Sequence, residues 1–324
     1  MMTNVECPGL PASWLNAWLA AVGLLALEPR LRLSWTCEPE PIAVLSTPSG
    51  ENPLELAVNA WPSSSRIDAM PIAEHVEGLD AMQRKVPLEV FQQRAEFCRQ
   101  KLHDDSWTLA STVTDLCVDT NNDKIRTVRH ARLDPKGPGT TKWLHHRLSK
   151  SHKLVTDPSL QVNSTLHGHA KRIKDNGLGF DATRISALAD SAHSTVDPVI
   201  EVLAFFGLKL LPMRGEGIEV KNSWTRNRFA ARQRNWSLDR EQDSQLMTWP
   251  AWEQPLDLSG VDALLDLWAD MIRFLVRGKR VSRTERSLIG IHAAWRTVAY
   301  KERGTSDTTV GFASARVEFD AIRR

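Results

Sequence analysis

The sequence predicts an α+β fold of helices and short antiparallel strands. Two kinds of apolar periodicity carry that reading. Helical spacing recurs at residues 13–27, 87–102, 197–207 and 259–276, and alternating or short apolar runs fall at 31–46, 106–133, 288–299 and 309–319. A third observation is their order: strand-like and helix-like runs do not alternate regularly, so a parallel βαβ sheet is not expected.

In chain order, SWLNAWLAAVGLLAL (13–27) reads as a helix with Ser13 as its cap, and Gly23 either weakens it or admits another backbone. LRLSWT (31–36) and IAVLS (42–46) flank a proline-rich turn and predict a hairpin or two neighbouring strands. Pro53 opens a short helix over 53–60, the stretch 62–85 reads as irregular, and Pro87 opens an amphipathic helix over 87–102. Residues 106–133 predict a hairpin turning at DTNND (119–123), whose second strand carries Arg126, Arg129 and Arg132. These arginines do not share parity, so a bulge or twist is needed to bring them to one face.

KGPGTTK (136–142) reads as a turn, 142–152 as a basic helix and 154–179 as loop. Helices are expected near 181–192 and at 197–207, the latter with Asp197 as cap, Pro198 at its first position and Gly207 as its stop. Strand-like pieces follow at 208–213 and 245–249, and the longest helix is expected at 259–276. A domain boundary is placed near 195, dividing the chain into 1–195 and 196–324.

Charge is distributed unevenly. Lys124 to Lys174 holds twelve Lys/Arg against two Asp, a net of +10, and six of the ten histidines. Residues 1–123 carry −9 and residues 175–324 carry +1, so the whole-chain value of +2 hides the contrast. A basic block of this kind suits a polyanion, because each neutralised phosphate releases condensed counterions. It equally suits a solvated loop or a face turned towards the acidic N-terminal part. The candidate nucleic-acid contacts are Arg126, Arg129, Arg132, Lys136, Lys142, Arg147, Lys150, Lys153, Lys171, Arg172 and Lys174. A second set lies in SWTRNRFAARQRNWS (223–237): Arg226, Arg228, Arg232 and Arg234 for phosphate, and Trp236 for stacking on an unpaired base.

Catalytic and metal patterns are sparse. His167-Gly168-His169 is the best metal pair, but no cysteine or carboxylate stands near it at a zinc spacing. Asp119, Asn121 and Asp123 echo a calcium loop, yet Lys124 and His130 occupy the positions that need Gly and Glu. KGPGTTK lacks the Gly-Lys-Ser/Thr element of a phosphate loop. No cofactor and no catalytic residue is expected, and a metal-dependent nuclease or another nucleic-acid-acting enzyme is the enzymatic alternative. The four separated cysteines, Cys7, Cys37, Cys98 and Cys117, fit a reducing cytoplasm. The apolar run 14–27 is too short for a membrane span. Twelve Trp against one Tyr is an unusual ratio with no explanation in the sequence itself.

Three stretches resemble a known family. LNAWLAAVGLLAL (15–27) is similar to the glycine-containing opening helix of large-subunit proteins in type I CRISPR interference complexes (Cascade). DPVIEVLAFFGLKLLPMR (197–214) and MTWPAWEQPLDLSGVDALL (247–265) resemble segments of the compact large-subunit-like proteins of type I-U (I-G) systems. Those proteins pair an apolar helix ending FxG-L with a later Trp-Pro strand leading into a helix. The likeness covers about a sixth of the chain and lies in core-like stretches, so no functional residue is carried across.

The resemblance implies a non-catalytic subunit of an antiviral ribonucleoprotein. Its partners would be guide RNA, target DNA, the other subunits of the effector complex and a helicase-nuclease. It would contact the duplex beside the target or the displaced strand. A general DNA- or RNA-binding regulatory or defence protein is the other alternative.

Overall fold

The computed structural model describes residues 3–37, 39–70, 85–87, 89, 92–93, 96–97, 100–101, 104–108, 113–120, 126–130, 144–175, 177–178, 195–211, 236–239, 244–276, 289–301 and 309–317. Its N-terminal elements are β1 (Thr3–Pro11), α1 (Leu15–Leu27), β2 (Arg32–Trp35), β3 (Ile42–Thr47), α2 (Pro53–Asn59) and α3 (Ser64–Asp68). β4 (Lys85–Pro87), β5 (Val113–Thr120), β6 (Arg126–His130), α4 (Leu144–Lys153), α5 (Pro158–Leu166), β7 (Ile173–Lys174) and β8 (Thr195–Val196) follow. The C-terminal elements are α6 (Pro198–Gly207), β9 (Trp236–Asp239), β10 (Ser244–Trp252), α7 (Leu258–Val276), β11 (Ile291–Lys301) and β12 (Thr309–Arg316). This is an α+β arrangement whose paired strands are all antiparallel.

Helix α1 is the centre of the core. Every residue from Leu15 to Leu25 is buried, as a helix apolar on all sides requires. It lies against α6, which is likewise buried throughout. Glycine lets the two backbones meet: a Cβ at Gly23 would lie 1.9 Å from the Leu203 carbonyl oxygen, and one at Gly207 would lie 2.1 Å from that of Leu19. Of the two roles open to Gly23, close approach is the one found.

The α-helix ends at Gly207, as expected, but not through a left-handed glycine. Its φ is −62°, and the chain runs on as a 3₁₀ turn, Leu208–Leu210, where a strand was expected. At the start of α1, Trp14 rather than Ser13 holds the cap position, and no side chain caps it.

Two antiparallel sheets lie against α1. The first has the order β1-β3-β2 and contains the expected hairpin, with Leu33 opposite Leu45. The second has the order β12-β11-β10-β9. They meet where Leu33 and Leu256 exchange backbone hydrogen bonds of 2.8 and 2.9 Å. Helix α7 turns Val261, Leu264, Leu265 and Trp268 inward, at the three- and four-residue spacing of one helix face. The buried cluster runs from Cys7 to Trp295 and takes residues from both sides of position 195.

A third sheet, β4-β6-β5, holds the hairpin expected over 106–133. Its register shift lies on β5, between Thr114 and Asp119, opposite the Arg129-to-Thr127 step of β6. Trp107 and Thr108 are helical, so the strand begins later than expected. Helix α3, capped by Ser63, falls within the stretch expected to be irregular. Of the helix expected over 87–102, the described residues from 89 to 100 are helical, but Pro87 ends strand β4 instead of opening the helix. The turn at 136–142, the helix at 181–192 and the run 223–235 lie outside the described residues. Among the described residues no helix is long and apolar enough to cross a membrane.

Candidate nucleic-acid interface

The described part of the basic block centres on α4, α5 and the segment leading into β7. Helix α4 buries Leu148, Ser151 and His152 and leaves Lys150 and Lys153 exposed. His152 anchors it. The ring bonds the Pro62 carbonyl oxygen through Nε2 at 2.8 Å and stacks on Trp61, with centroids 5.5 Å apart and planes 14° apart.

Helix α5 corrects the expected loop over 154–179. Asp157 caps it, accepting the Leu160 N–H at 3.1 Å, and Pro158 stands at its first turn. It closes in a Schellman turn: the N–H of His169 reaches the Ser164 carbonyl at 2.8 Å, and Gly168 adopts φ +76°. That turn is why Gly168 sits between the two histidines. Both rings are exposed and stacked, with centroids 6.4 Å apart, and His167 Nδ1 lies 2.9 Å from the Asn163 carbonyl oxygen. Among the described residues no group of three or more His, Cys, Asp or Glu side chains is placed to hold a metal ion.

The segment after α5 is tied back to the core. Arg172 donates to the Thr195 carbonyl at 2.6 Å and lies over Trp14, 6.0 Å from the ring centroid. Arg147 donates to the Leu178 carbonyl at 3.3 Å. The Leu178 N–H donates to Glu201, a fully buried carboxylate of α6 that also accepts from Asn16 Nδ2 at 3.1 Å. Asp175 is mostly buried; it pairs with Lys150 and accepts the Gly177 N–H at 2.9 Å.

The result is a divided set of cations. Arg147 and Arg172 engage backbone carbonyls, Lys150 meets Asp175, and Lys153, Lys171 and Lys174 stand exposed beside them. Residues 144–178 hold six Lys/Arg against Asp157 and Asp175, a net of +4.

The other candidates are placed less closely. Arg126 and Arg129 occupy positions of β6, and Trp236 opens edge strand β9, paired with Met247. Arg132, Lys136, Lys142, Arg226, Arg228, Arg232 and Arg234 lie outside the described residues. Nothing in the sequence reading singled out Glu201 or Asn16, which hold the segment beneath the lysines. Their pairing joins positions 185 apart in the chain, and no local pattern announces it.

The acid that caps α6 belongs to the same region. Asp197 is 4% exposed; it accepts from the Thr165 hydroxyl at 2.8 Å and from the Val199 N–H at 2.9 Å. Burial pushes its carboxyl above the usual range, against these two bonds and the nearby Arg172 charge.

No family model matches the chain, and neither a curated protein nor a solved structure does.

Proposed function

We propose that this chain is a non-catalytic, nucleic-acid-binding subunit of a CRISPR RNA-guided DNA surveillance complex in the cytoplasm. In that role it contacts target-flanking duplex or the displaced strand. The observation that carries the binding is the exposure of Lys153, Lys171 and Lys174, with Lys150 paired to Asp175, on elements tied to the buried α1–α6 pair. Lysines held on a packed scaffold meet phosphates at little ordering cost, and counterion release supplies the driving force. Placement in a CRISPR complex rests on the resemblance of residues 15–27, 197–214 and 247–265. Guide RNA, target DNA, sister subunits and a helicase-nuclease are the partners that go with it.

The binding is tested by replacing Lys150, Lys153, Lys171 and Lys174 with Gln. Affinity for any duplex should fall, and the slope of log K against log salt should shrink by roughly 0.9 for each phosphate no longer neutralised. A folded variant with unchanged affinity and slope would remove this surface from the interface. A repeat array and a helicase-nuclease encoded beside the gene, and guide RNA co-purifying with the chain, would support its place in such a complex.

A further inference from the structure

We infer that β12 is a self-association edge: a second copy of this chain adds its own β12 antiparallel to it, about a two-fold axis at Ser314. This pairing is independent of the nucleic-acid reading above. β12 ends the sheet β12-β11-β10-β9, and among the described residues no strand pairs with its other side. A terminal strand carries a row of outward N–H and C=O groups, which templates a further strand.

The other sheet edges are blunted. β1 carries Glu6, Pro8 and Pro11, with a register shift between Cys7 and Pro11. β2 is met by Leu256 through the two backbone bonds of Leu33. β9 has four residues and ends in Asp239. β4 has three residues and ends in Pro87, and β5 holds Asp115 and Asp119 about a register shift. Short length, proline, charge and irregularity are the devices that keep an edge from pairing. β12 lacks them over most of its length. It reads TVGFASAR, eight residues with no proline and no acid, and its one cation, Arg316, stands last. From Gly311 to Arg316 it pairs β11 without a break.

One hydrogen bond settles which groups face outward. The Val317 N–H donates to the Ala294 carbonyl at 2.9 Å, and the register of Trp295 with Arg316 sets Val317 opposite Ala294. Bonded and non-bonded pairs alternate along an antiparallel ladder. Arg296 with Ala315 and Val298 with Ala313 are therefore bonded pairs. The backbone groups of Phe312, Ser314 and Arg316 then point away from β11.

Those positions select a second copy as the occupant. Centred on Ser314, two antiparallel strands set Ser314 opposite Ser314 and Phe312 opposite Arg316, so each outward residue gains a bonding partner. Ala313 falls opposite Ala315, which puts small side chains at the non-bonded pairs, where strands approach most closely. No like charges face each other, whereas a pairing centred on Arg316 would oppose the two cations. A two-fold pairing consumes the same edge on both copies, so it closes at two. The joined sheet then ends in four-residue β9 on both sides. A seam of about six backbone bonds between small side chains makes a weak dimer, with a dissociation constant on the order of micromolar.

The test is sedimentation of the nuclease-treated full chain from about 1 to 200 µM. Wild type should move from 36.4 kDa towards twice that mass and no further. Ser314→Pro removes an outward N–H and no bond to β11, and should stay monomeric. Ser314→Lys and Ser314→Glu each oppose like charges at the axis and should weaken association by about fivefold or more. An equimolar mixture of these two should associate again, as a mixed dimer.

Melting curves establish that each variant is folded, and Ser314→Pro decides alone if a charge at 314 unfolds the chain. A wild type that stays at 36.4 kDa throughout would overturn the proposal, as it would if another part of the chain or a different protein covered this edge. A folded Ser314→Pro that associates as wild type does would overturn it too, as would mass growing past the dimer. A folded charge mixture that stays monomeric would remove the axis at Ser314.

Discussion

The contact between α1 and α6 makes the sharpest stability prediction. A methyl group added at Gly23 would lie 1.9 Å from the Leu203 carbonyl oxygen and 2.9 Å from its carbon, both backbone atoms of a buried helix. Neither atom can swing aside. The helices would have to part by more than about 1 Å, and α1 has little room, because β1, β2 and α7 also contact it. Overpacking of this kind costs about 3 kcal/mol at the upper end of its common range, and a gap of that width forfeits dispersion along the contact. The gain in helix propensity from Gly to Ala offsets about 1 kcal/mol.

A net loss of about 2 kcal/mol or more is expected for Gly23→Ala. For 324 residues the unfolding entropy is about 0.7 kcal/mol/K, so the midpoint should drop by about 3 °C or more. Calorimetry and a denaturant titration read by Trp fluorescence both measure it. Gly207→Ala should behave alike, and the double variant should lose less than the two single losses combined, since one separation relieves both clashes. Gly260→Ala is the control: its new methyl would meet only side-chain atoms, those of Leu256 at 3.2 Å and the Asp257 carboxylate at 3.4 Å. That change should stay within about 1 kcal/mol. A Gly23→Ala protein that melts at or above wild type would refute the backbone contact.

Two further outcomes are expected. Asp197 has a folded pKa raised by burial above its unfolded value of about 3.9, so the folded state binds its proton more tightly. The stability this contributes is full below about pH 4 and is lost as pH rises through the folded pKa; Asp197→Asn, which keeps an acceptor for the Val199 N–H, should lack that loss. Denaturant midpoints from pH 4 to 7 check it, and a pH-independent difference between the two proteins would refute the burial argument. The purified chain should not cut DNA or RNA with Mg²⁺, Mn²⁺ or Zn²⁺, because Gly168 and its flanking histidines are accounted for by a helix terminus. Cleavage abolished by His167→Ala would reverse that reading.

The elements legible in the sequence were those with long apolar periodicity. Helix α7, nineteen residues long, shows an inward stripe from Val261 to Trp268, and the hairpin of β2 and β3 is bracketed by prolines. Helix α5 was not legible because only Val162, Thr165 and Leu166 of its nine residues are buried, too few to set a period. Its Asp157-Pro158 start is nonetheless the same cap signal that located α6 at Asp197-Pro198. Gly207 ends α6 as the sequence suggests, but its close packing on Leu19 is a second role that only the partner helix reveals.

The candidate surface was half legible. The charge count located the basic block, but burial separates Lys153, Lys171 and Lys174 from arginines engaged with backbone carbonyls. That division depends on Thr195 and Leu178, which no spacing rule links to Arg172 and Arg147.

The tryptophans, unexplained by the sequence, follow from how the two main sheets join. The Trp18 indole N–H donates to the Pro250 carbonyl at 2.9 Å, Trp249 to Ala12 at 2.8 Å, and Trp252 to Leu33 at 2.9 Å. Each bond ties a residue before position 36 to one after position 248. Pro250 shows the local reason: β9 pairs β10 only from Ser244 to Met247, so beyond it the carbonyl of Pro250 takes a side-chain donor instead.

A buried carbonyl in that position needs a donor, and leaving it unpaired costs about 1–3 kcal/mol. Tyrosine could donate, but its hydroxyl also brings acceptor lone pairs into a core where backbone N–H groups are already engaged. Indole donates one hydrogen, accepts none and fills a large volume. The edge-to-face chain Trp18–Trp252–Trp35, with centroids 6.4 and 6.0 Å apart, adds ring contacts across the same seam. Trp35 Nε1 is the exception, buried without an acceptor, and it sits at the end of that chain where ring packing rather than a hydrogen bond holds the side chain. A core that joins strands from both ends of the chain favours residues that donate without accepting, which accounts for the Trp side chains at this seam.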